Sequence, residues 1–257
     1  MEISTIVGIV VCFAGVLGGY VLEGGELHSL LKIPAFLIVI IGTIGAGITA
    51  TPLIDTMSVP KVLKNALFRS IRNPHEIIAM FVAFAEKVRR EGLLVLEDDV
   101  SQLTDSFLRS GLQLVIDGND TDLVRDIMNT EVAYLESRHE RGAKYFKNLG
   151  GFAPTFGIIG TVMSLVHVLA GLGGSIDPAS LGAGIAGAFI ATLYGVISAN
   201  ALFLPIATKL ELLSSEEALM REIMIEGVLS IQAGDNPRIV KEKLNAFLPP
   251  PLRMAEE

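Results

Sequence analysis

Residues Ala179–Thr208 read ASLGAGIAGAFIATLYGVISANALFLPIAT and contain no Asp, Glu, Lys or Arg. A helix crosses the ~30 Å hydrocarbon core of a bilayer with about 20 residues, at a rise of ~1.5 Å per residue. Small side chains recur every four residues in this stretch and so share one helical face. They are Ala183, Gly187, Ala191, Gly195 and Ala199. Such a face favours close packing between membrane helices, either within one chain or between subunits.

Three further apolar stretches without a charged residue accompany it, namely Ile3–Leu22, Ile33–Ile54 and Asn148–Ile176. Each is long enough to cross a bilayer, so we predict an all-α polytopic membrane protein with four transmembrane helices and a helical cytoplasmic domain. The predicted divisions are residues 1–54 (helices one and two), 55–147 (cytoplasmic domain), 148–208 (helices three and four) and 209–257 (cytoplasmic helical tail). Since an ion path usually needs an ionisable group at membrane depth, a partner must supply the carboxylate of any such path here.

The composition argues against several classes of function. The chain has 257 residues, a mean hydropathy of +0.55 and a net charge of -8, so it offers no basic footprint for nucleic acid. Cys12 is the only cysteine, which excludes a disulfide framework within one chain. The sequence contains no phosphate loop, no His-Glu-x-x-His zinc motif and no nucleophile elbow. We therefore expect no enzyme activity, no cofactor and no bound metal.

The distribution of Lys and Arg predicts the orientation in the membrane. Of the 20 such residues, thirteen lie between Leu53 and Lys147, six follow Thr208, and only Lys32 lies between the first two stretches. Positive residues are retained in the cytoplasm, so the long central segment and the tail are predicted to be cytoplasmic. Four crossings then place both termini inside. The outer connections are Glu23–Lys32 and a tight turn at Asp177-Pro178.

The central segment has the pattern of amphipathic helices. A helix is predicted after Asn73-Pro74, with one apolar face formed by Ile77, Ile78, Phe81, Phe84, Ala85 and Val88. Asp117-Gly118-Asn119 predicts a turn, and either Asp120 or Thr121 is placed to cap the next helix. That helix is predicted to run from Asp122 into the third crossing without a break.

Two kinds of residue stand out in the second pair of apolar stretches. Pro154 lies near the predicted cytoplasmic start of the third helix and Pro205 near the cytoplasmic end of the fourth, and each favours a bend at a similar depth. Thr161 and Thr192 lie on glycine-rich stretches, where a hydroxyl either bonds a neighbouring backbone or reaches a pore or a partner helix.

The densest charge group lies in the central segment. It comprises Glu86–Glu91 and Glu97–Asp99, separated by Gly92-Leu93-Leu94-Val95-Leu96. Such runs are usually solvated helix faces. The alternative is a docking surface for a partner that carries complementary charges.

In these motifs and in the order of its apolar and charged segments, the sequence resembles the MotA/PomA family. The members of that family are the ion-channel-forming A subunits of bacterial flagellar stators. The resemblance covers essentially the whole chain, and its most specific stretches are Arg89–Leu94, Phe152–Thr161, Thr192–Gly195 and Ile225–Pro237. It implies a homopentamer in the inner membrane around two copies of a single-span MotB/PomB-like B subunit. The B subunit would supply the membrane Asp, which agrees with the missing carboxylate.

The resemblance also implies roles for particular residues. Arg89, Arg90, Glu97 and Asp98 match charges that face the rotor protein FliG. Pro154 and Pro205 match prolines that couple ion occupancy to movement. Thr161 and Thr192 match threonines of the ion path. We expect protons as the driving ion, with sodium as the alternative.

Two other functions fit parts of the pattern. The first is an ExbB/TolQ-type protein that energises outer-membrane processes. Such proteins typically have three crossings, so the additional N-terminal hairpin argues against it. The second is a non-conducting membrane scaffold, in which the glycine-rich faces only hold an assembly together.

Overall fold

The structure is a computed structural model that describes residues 3–68, 73–171 and 178–253. All regular structure among these residues is helical. The α-helices are α1 (Ile3–Leu22), α2 (Ile33–Thr49), α3 (Leu53–Phe68), α4 (Pro74–Glu91), α5 (Glu97–Ser101), α6 (Ser106–Ile116), α7 (Thr121–Gly171), α8 (Pro178–Ile197), α9 (Leu204–Ala233) and α10 (Pro237–Asn245). Short 3-10 helices cover Leu27–Leu30, Leu93–Leu96 and Pro250–Leu252, and the helix widens to π geometry at Leu37–Ile41 and Ser198–Phe203. The chain divides into two compact units, residues 1–70 with 139–212, and residues 71–138 with 213–257.

The helices with the dimensions of membrane spans lie wholly or partly in the first unit. Ser4–Leu22, Thr121–Gly171 and Ala179–Ala233 each include a window long and apolar enough to cross a bilayer, and α2 is a shorter apolar helix. No residue of the α1 window is buried inside the protein. A helix that exposes apolar side chains all round is stable in lipid, where its backbone bonds are satisfied internally. The predicted all-helical membrane class is confirmed, while the count of four crossings stays a prediction.

The second apolar stretch is shorter than predicted. We expected a helix over Ile33–Ile54, but α2 ends at Thr49 and α3 begins at Leu53. Pro52 explains the break, because proline has no N–H to donate and disfavours helical geometry in the residue before it. The Thr51 hydroxyl donates to the carbonyl of Gly47 at 2.7 Å, which satisfies one acceptor at the helix end.

The long helix α7 confirms the prediction of an unbroken element. It begins after a turn at Gly118, whose φ of +77° favours glycine. Asp120 is the cap, since its carboxylate accepts the N–H of Asp122 at 2.9 Å. Residues 172–176 of the predicted third stretch and Asp177 of the predicted turn lie outside the described residues, and Pro178 is the first residue of α8.

The second unit has a large side-chain core. The predicted apolar face of α4 is confirmed, because Ile77, Ile78, Phe81, Phe84 and Ala85 are buried and Val88 packs against them. Asn73 caps this helix by accepting the N–H of His75 at 3.1 Å. The other buried members of the core are Leu96, Val100, Phe107, Leu108, Leu112, Val115, Val124, Met128, Met220, Ile223, Met224, Ile225, Val228, Leu229, Ile231, Val240, Leu244 and Leu248.

Charges are also built into this second unit. Arg221 on α9 lies 2.9 Å from the Asp105 carboxylate and 3.6 Å from that of Glu217, and all three side chains are at most one-fifth exposed. Asp105 also caps α6 by accepting the N–H of Phe107 and Leu108. The guanidinium lies over the Phe107 ring at 4.6 Å. Asp105 and Arg221 therefore fix the start of α6 against α9.

Candidate functional site

Helices α7 and α8 cross with their backbones in contact. A Cβ added to Gly195 would lie 2.5 Å from the Ala153 carbonyl oxygen and 3.1 Å from the Pro154 Cα. A Cβ on Gly157 would lie 3.0 Å from the carbonyl oxygen of Ala191. Contacts this close need glycine at both positions, because the atoms in the way belong to the backbone and have no side-chain rotamer to change.

The predicted face of small residues on α8 is divided in two. Ala191 and Gly195 pack against α7 within the chain. Gly187 has no described atom within 4 Å of an added Cβ, and Ala183 is exposed. Packing within the chain therefore accounts for the half nearer α9, and the other half remains open.

Thr161 and Thr192 meet at this crossing. Their hydroxyl oxygens are 2.6 Å apart, although 31 positions separate them in the sequence. The Thr161 Oγ1 also lies 2.9 Å from the carbonyl oxygen of Ala188 on α8 and 3.1 Å from that of Gly157 on its own helix. Both threonine side chains are only half-buried. The pair is thus a polar bridge between two apolar helices.

Once these contacts are made, the Thr161 and Thr192 hydroxyls differ in the further hydrogen bonds that they can form. Each hydroxyl has one proton and two acceptor positions. If Thr161 uses its proton on a carbonyl, the short contact between the threonines requires Thr192 to donate to Thr161. The Thr192 oxygen then keeps its acceptor positions. Such an oxygen can coordinate a cation or accept a hydrogen bond from an incoming carboxylic acid.

Pro154 lies at this crossing. It is inside α7, which stays helical through it, and its Cα lies next to Gly195. Pro205 is the second residue after the π-helical segment Ser198–Phe203, whose wide turn accommodates the missing backbone donor. It is ten residues beyond Gly195, and the side chain of its neighbour Leu204 packs on Gly150. A common depth of the two prolines therefore stays a prediction.

Sequence reasoning missed the role of Tyr194, which lies two residues after Thr192 on α8. Its hydroxyl donates to the Leu30 carbonyl and accepts the Lys32 N–H at 3.3 Å, and its ring meets Phe36 edge-on at 6.5 Å. Tyr194 thus fastens the connection between α1 and α2 to α8. The only signal in the sequence was a tyrosine within an apolar stretch.

The predicted rotor-facing charges lie together at the end of α4 and the start of α5. Arg89 and Arg90 are in the last turn of α4, and Glu97 and Asp98 are in the first turn of α5. All four are exposed. Gly92, with φ +86°, makes the sharp turn between the helices, and its N–H caps α4 on the Val88 carbonyl at 2.8 Å.

A second contact at this turn was also missed from the sequence. The Lys87 ammonium lies 2.5 Å from the Asp99 carboxylate, which joins the last turn of α4 to α5. Both residues belong to the charge group that we interpreted as solvated or docking. This pair has a positioning role, because it sets the spacing between the arginines and the acids.

No metal site emerges from the part of the chain that the structure describes, where no three His, Cys, Asp or Glu side chains converge. His167 lines an open cavity of about 460 Å³ together with Lys32 and Ser164. The walls of that cavity are otherwise apolar, and the geometry assigns His167 no chemical role.

Comparisons with known proteins agree with this arrangement over nearly the full length. The sequence profile of the MotA/TolQ/ExbB proton channel family matches residues 99–223, and that of the motility protein A N-terminal region matches residues 6–92. Motility protein A of Bacillus subtilis is 38% identical over 251 residues, 97% of this chain and 92% of the relative. A chain of the C. jejuni MotAB structure superposes with a TM-score of 0.92 at 32% identity, covering 97% of both chains. A chain of the flagellar MotAB stator complex from Bacillus subtilis gives 0.89 at 38% identity, with 95% of each chain covered.

These observations define a helical membrane protein of the MotA/TolQ/ExbB proton channel class. Within that class the chain belongs to the motility protein A family, since both profiles and near full-length relatives agree. Its function is that of a flagellar stator A subunit, a membrane protein that forms part of the stator ion channel and drives motility. The ExbB/TolQ-type and scaffold alternatives do not have this support.

Proposed function

We propose that this subunit forms its ion path with a single-span B subunit, along the face that carries Thr161 and Thr192. The observation that carries the proposal is the hydroxyl pair, with its 2.6 Å contact, on two apolar stretches, residues 148–176 and 179–208, that contain no acidic residue. A half-buried oxygen with free acceptor positions is suited to coordinate a cation or to accept a hydrogen bond from a protonated carboxylic acid. The similar structures are of MotAB complexes, which supports a B-type partner as the source of that acid.

Protons are the proposed driving ion, and sodium is the alternative. A protonated carboxylic acid of the partner can donate a hydrogen bond to the Thr192 oxygen, so the acid itself would carry the proton past the threonine pair. A sodium path would need several oxygen atoms to converge on one point without a bonded proton between them. Neither route requires a resident cofactor or an enzymatic step in this chain.

Pro154 and Pro205 are proposed to couple the ion path to movement. Pro154 is adjacent to the Gly195 contact, and Gly195 is three residues from Thr192. A change in the occupancy of the threonine pair would therefore act on a backbone that already lacks one hydrogen bond in each helix. Such positions bend at lower energetic cost than a regular helix does.

Rotor contact is proposed for Arg89, Arg90, Glu97 and Asp98, with FliG as the partner. The four side chains are exposed, and they belong to a turn whose backbone is fixed by Gly92 and by the pair of Lys87 and Asp99. Exposed charges on a fixed frame favour encounter rate and specificity. A rigid frame is also required of a surface that pushes on a partner.

We further propose a homopentamer around two B subunits in the bacterial inner membrane, with both termini in the cytoplasm. The Lys and Arg distribution supports this orientation. Open small-residue faces support assembly with other helices, because added Cβ atoms at Gly8, Gly15, Gly18 and Gly19 on α1 meet no described atom within 4 Å.

The test is complementation of a motile strain that lacks its own stators, using this chain together with its genomic B partner. Swimming speed is followed against external sodium and against a proton uncoupler. Restored swimming that is abolished by the uncoupler and indifferent to sodium would support a proton-driven path. Dependence on sodium would overturn the choice of ion, and absence of swimming despite membrane insertion and assembly would overturn the proposed stator mechanism.

The path itself is tested with Thr192→Ala, for which we expect loss of most of the swimming speed. Thr155→Ala is the matched control, since the Thr155 hydroxyl is exposed on α7 and bonds only the Phe152 carbonyl at 2.6 Å. Equal speeds for the two variants would reduce Thr192 to a packing residue.

A further inference from the structure

The turn between α4 and α5 exposes one large apolar side chain at its tip. Leu94 is 71% exposed, the highest value among the large apolar side chains of the second unit that the structure describes. Its neighbours in the same 3-10 helix behave differently, because Leu96 is fully buried and Leu93 and Val95 pack partly against the core. A leucine left in water at this position is not explained by the fold of the unit.

The backbone that carries Leu94 is fixed on both sides. Gly92 begins the turn in a left-handed conformation, and the buried Leu96 anchors its end in the core. The pair of Lys87 and Asp99 ties the two flanking helices together at 2.5 Å. Leu94 is therefore presented on a pre-formed support, and a partner that covers it loses little conformational entropy of the backbone.

Charges of opposite sign border Leu94 along the chain. Arg89 precedes it, whereas Glu97 and Asp98 follow it, and these three side chains form no ion pair among the described residues. Arg90 contacts only Glu86 of its own helix, at 3.6 Å between charged atoms. An apolar centre with a charged rim is the usual composition of a protein–protein contact.

We propose that Leu94 is the apolar anchor of the rotor contact and inserts into a shallow apolar recess of the rotor protein. This inference rests on the rotor contact proposed above. The partner is expected to carry an acidic group opposite Arg89 and Arg90 and a basic group opposite Glu97 and Asp98. The charges set orientation and encounter rate, while burial of Leu94 supplies the part of the affinity that salt does not screen.

The experiment measures binding of the purified stator complex, in lipid nanodiscs, to purified FliG at low and high salt. Leu94→Asn is expected to weaken the affinity about tenfold, or ~1.4 kcal/mol, at both salt concentrations. Leu94→Met should stay within about twofold, because it keeps the apolar surface. Leu123→Asn is the matched control and should bind like the parent, since Leu123 is a half-exposed leucine of the same unit on α7.

Charge reversals separate this inference from the proposal on which it rests. Arg89→Glu and Glu97→Lys are expected to weaken binding at low salt, and the loss should shrink at high salt. If the reversals weaken binding but Leu94→Asn does not, the anchor is wrong and the charged contact stands. If neither kind of variant has an effect, the rotor surface itself is wrong and the anchor with it. A change at Leu94 that alters association between stator complexes, and leaves FliG binding intact, would also overturn the anchor.

Discussion

The two units of this molecule join their helices by different contacts. In the unit of residues 1–70 and 139–212, backbone meets backbone at Gly157 and Gly195, although other glycines there, such as Gly150, receive side chains. In the unit of residues 71–138 and 213–257, the described glycines with close contacts receive side chains only, as Gly111 receives Met128 and Gly227 receives the Phe81 ring. The first unit also exposes much of its apolar surface, whereas the second collects its large apolar residues into one core.

The difference follows from the solvent that each unit is built for. In water, burying large apolar side chains is the main stabilising contribution, so a core of Phe, Leu and Met is favoured. In lipid the surroundings are as apolar as leucine, and close backbone approach with interhelical hydrogen bonds takes over. The polar contacts differ in the same way. The first unit joins two helices by the hydrogen bond between Thr161 and Thr192, and the second unit by the ion pair of Arg221 and Asp105. Four predictions test the comparison, in descending order of expected effect.

Removing the buried cation of the second unit should have the largest effect on stability. We expect Arg221→Met to cost about 3–5 kcal/mol, because the largely buried carboxylates of Asp105 and Glu217 would lose the Arg221 cation. The measurement is hydrogen exchange of α6 and α9 amides in the intact complex. Arg238→Met is the control, since the Arg238 side chain is 73% exposed and its ion pair with Glu242 should be worth less than about 1 kcal/mol. Equal protection in both variants would show that the buried charges are not structural.

A charge placed on α1 tests whether the exposed apolar side chains of this helix face lipid, unlike those of the second unit, which face water. Val11→Asp is expected to disfavour membrane insertion by about 2.5–3.5 kcal/mol. Val11 is 63% exposed and lies near the middle of α1, a helix whose apolar window has no residue buried inside the protein. The measurement is the fraction of the protein that stays in the membrane after carbonate extraction, compared with the parent.

Ile239→Asp on α10 is the counterpart in the second unit, where Ile239 is 42% exposed. Its effect should stay within about 0.5 kcal/mol, because the new carboxylate faces water. Unimpaired insertion of the Val11 variant would contradict the assignment of α1 to lipid.

Adding one methyl group should affect the two kinds of glycine differently. Gly195→Ala is expected to destabilise the purified complex by about 1–3 kcal/mol, because the Cβ meets backbone atoms that cannot change rotamer. Gly111→Ala should be near neutral, since its Cβ meets the flexible end of Met128 and alanine favours the helix by about 1 kcal/mol. The measurement is the melting temperature of each variant. Similar melting temperatures would show that backbone contact at Gly195 and side-chain contact at Gly111 tolerate an added methyl group equally well.

The smallest effect is expected at an exposed ion cluster of the second unit. The hydrogen bond from Lys243 to Asp235, with a further contribution from Glu226, raises the pKa of the lysine above its ordinary value of 10.5. A raised pKa means that the folded state favours the charged form, so this stabilisation is present at neutral pH and is lost as pH rises through the folded-state pKa. The half-exposed lysine should contribute less than about 1 kcal/mol.

Lys243→Met tests this small contribution. Its unfolding free energy should lie slightly below that of the parent at neutral pH, and the gap should close above pH 10.5. A gap that persists unchanged in strongly alkaline solution would mean that packing, and not charge, is responsible.

Local signals in the sequence predicted several elements correctly. The apolar face of α4 follows from spacing alone, and the start of α7 follows from a turn glycine and a capping carboxylate next to it. The break at Pro52 was missed although its cause is local, because the apolar stretch continued through it. Contacts between distant segments were not predictable. The Tyr194 hydroxyl bonds the Leu30 carbonyl only because α8 packs beside the connection between α1 and α2.

The sequence by itself determined where helices form, which of them suit lipid, and that no acidic residue lies in the apolar stretches. These properties depend on backbone bonds between neighbours and on the composition of each stretch. Only the tertiary structure decided that Thr161 meets Thr192, that Gly195 is closed while Gly187 is open, and that Leu94 alone stays in water at its turn. Those outcomes depend on the rotation and register of each helix, which are set by contacts with residues far away in the chain.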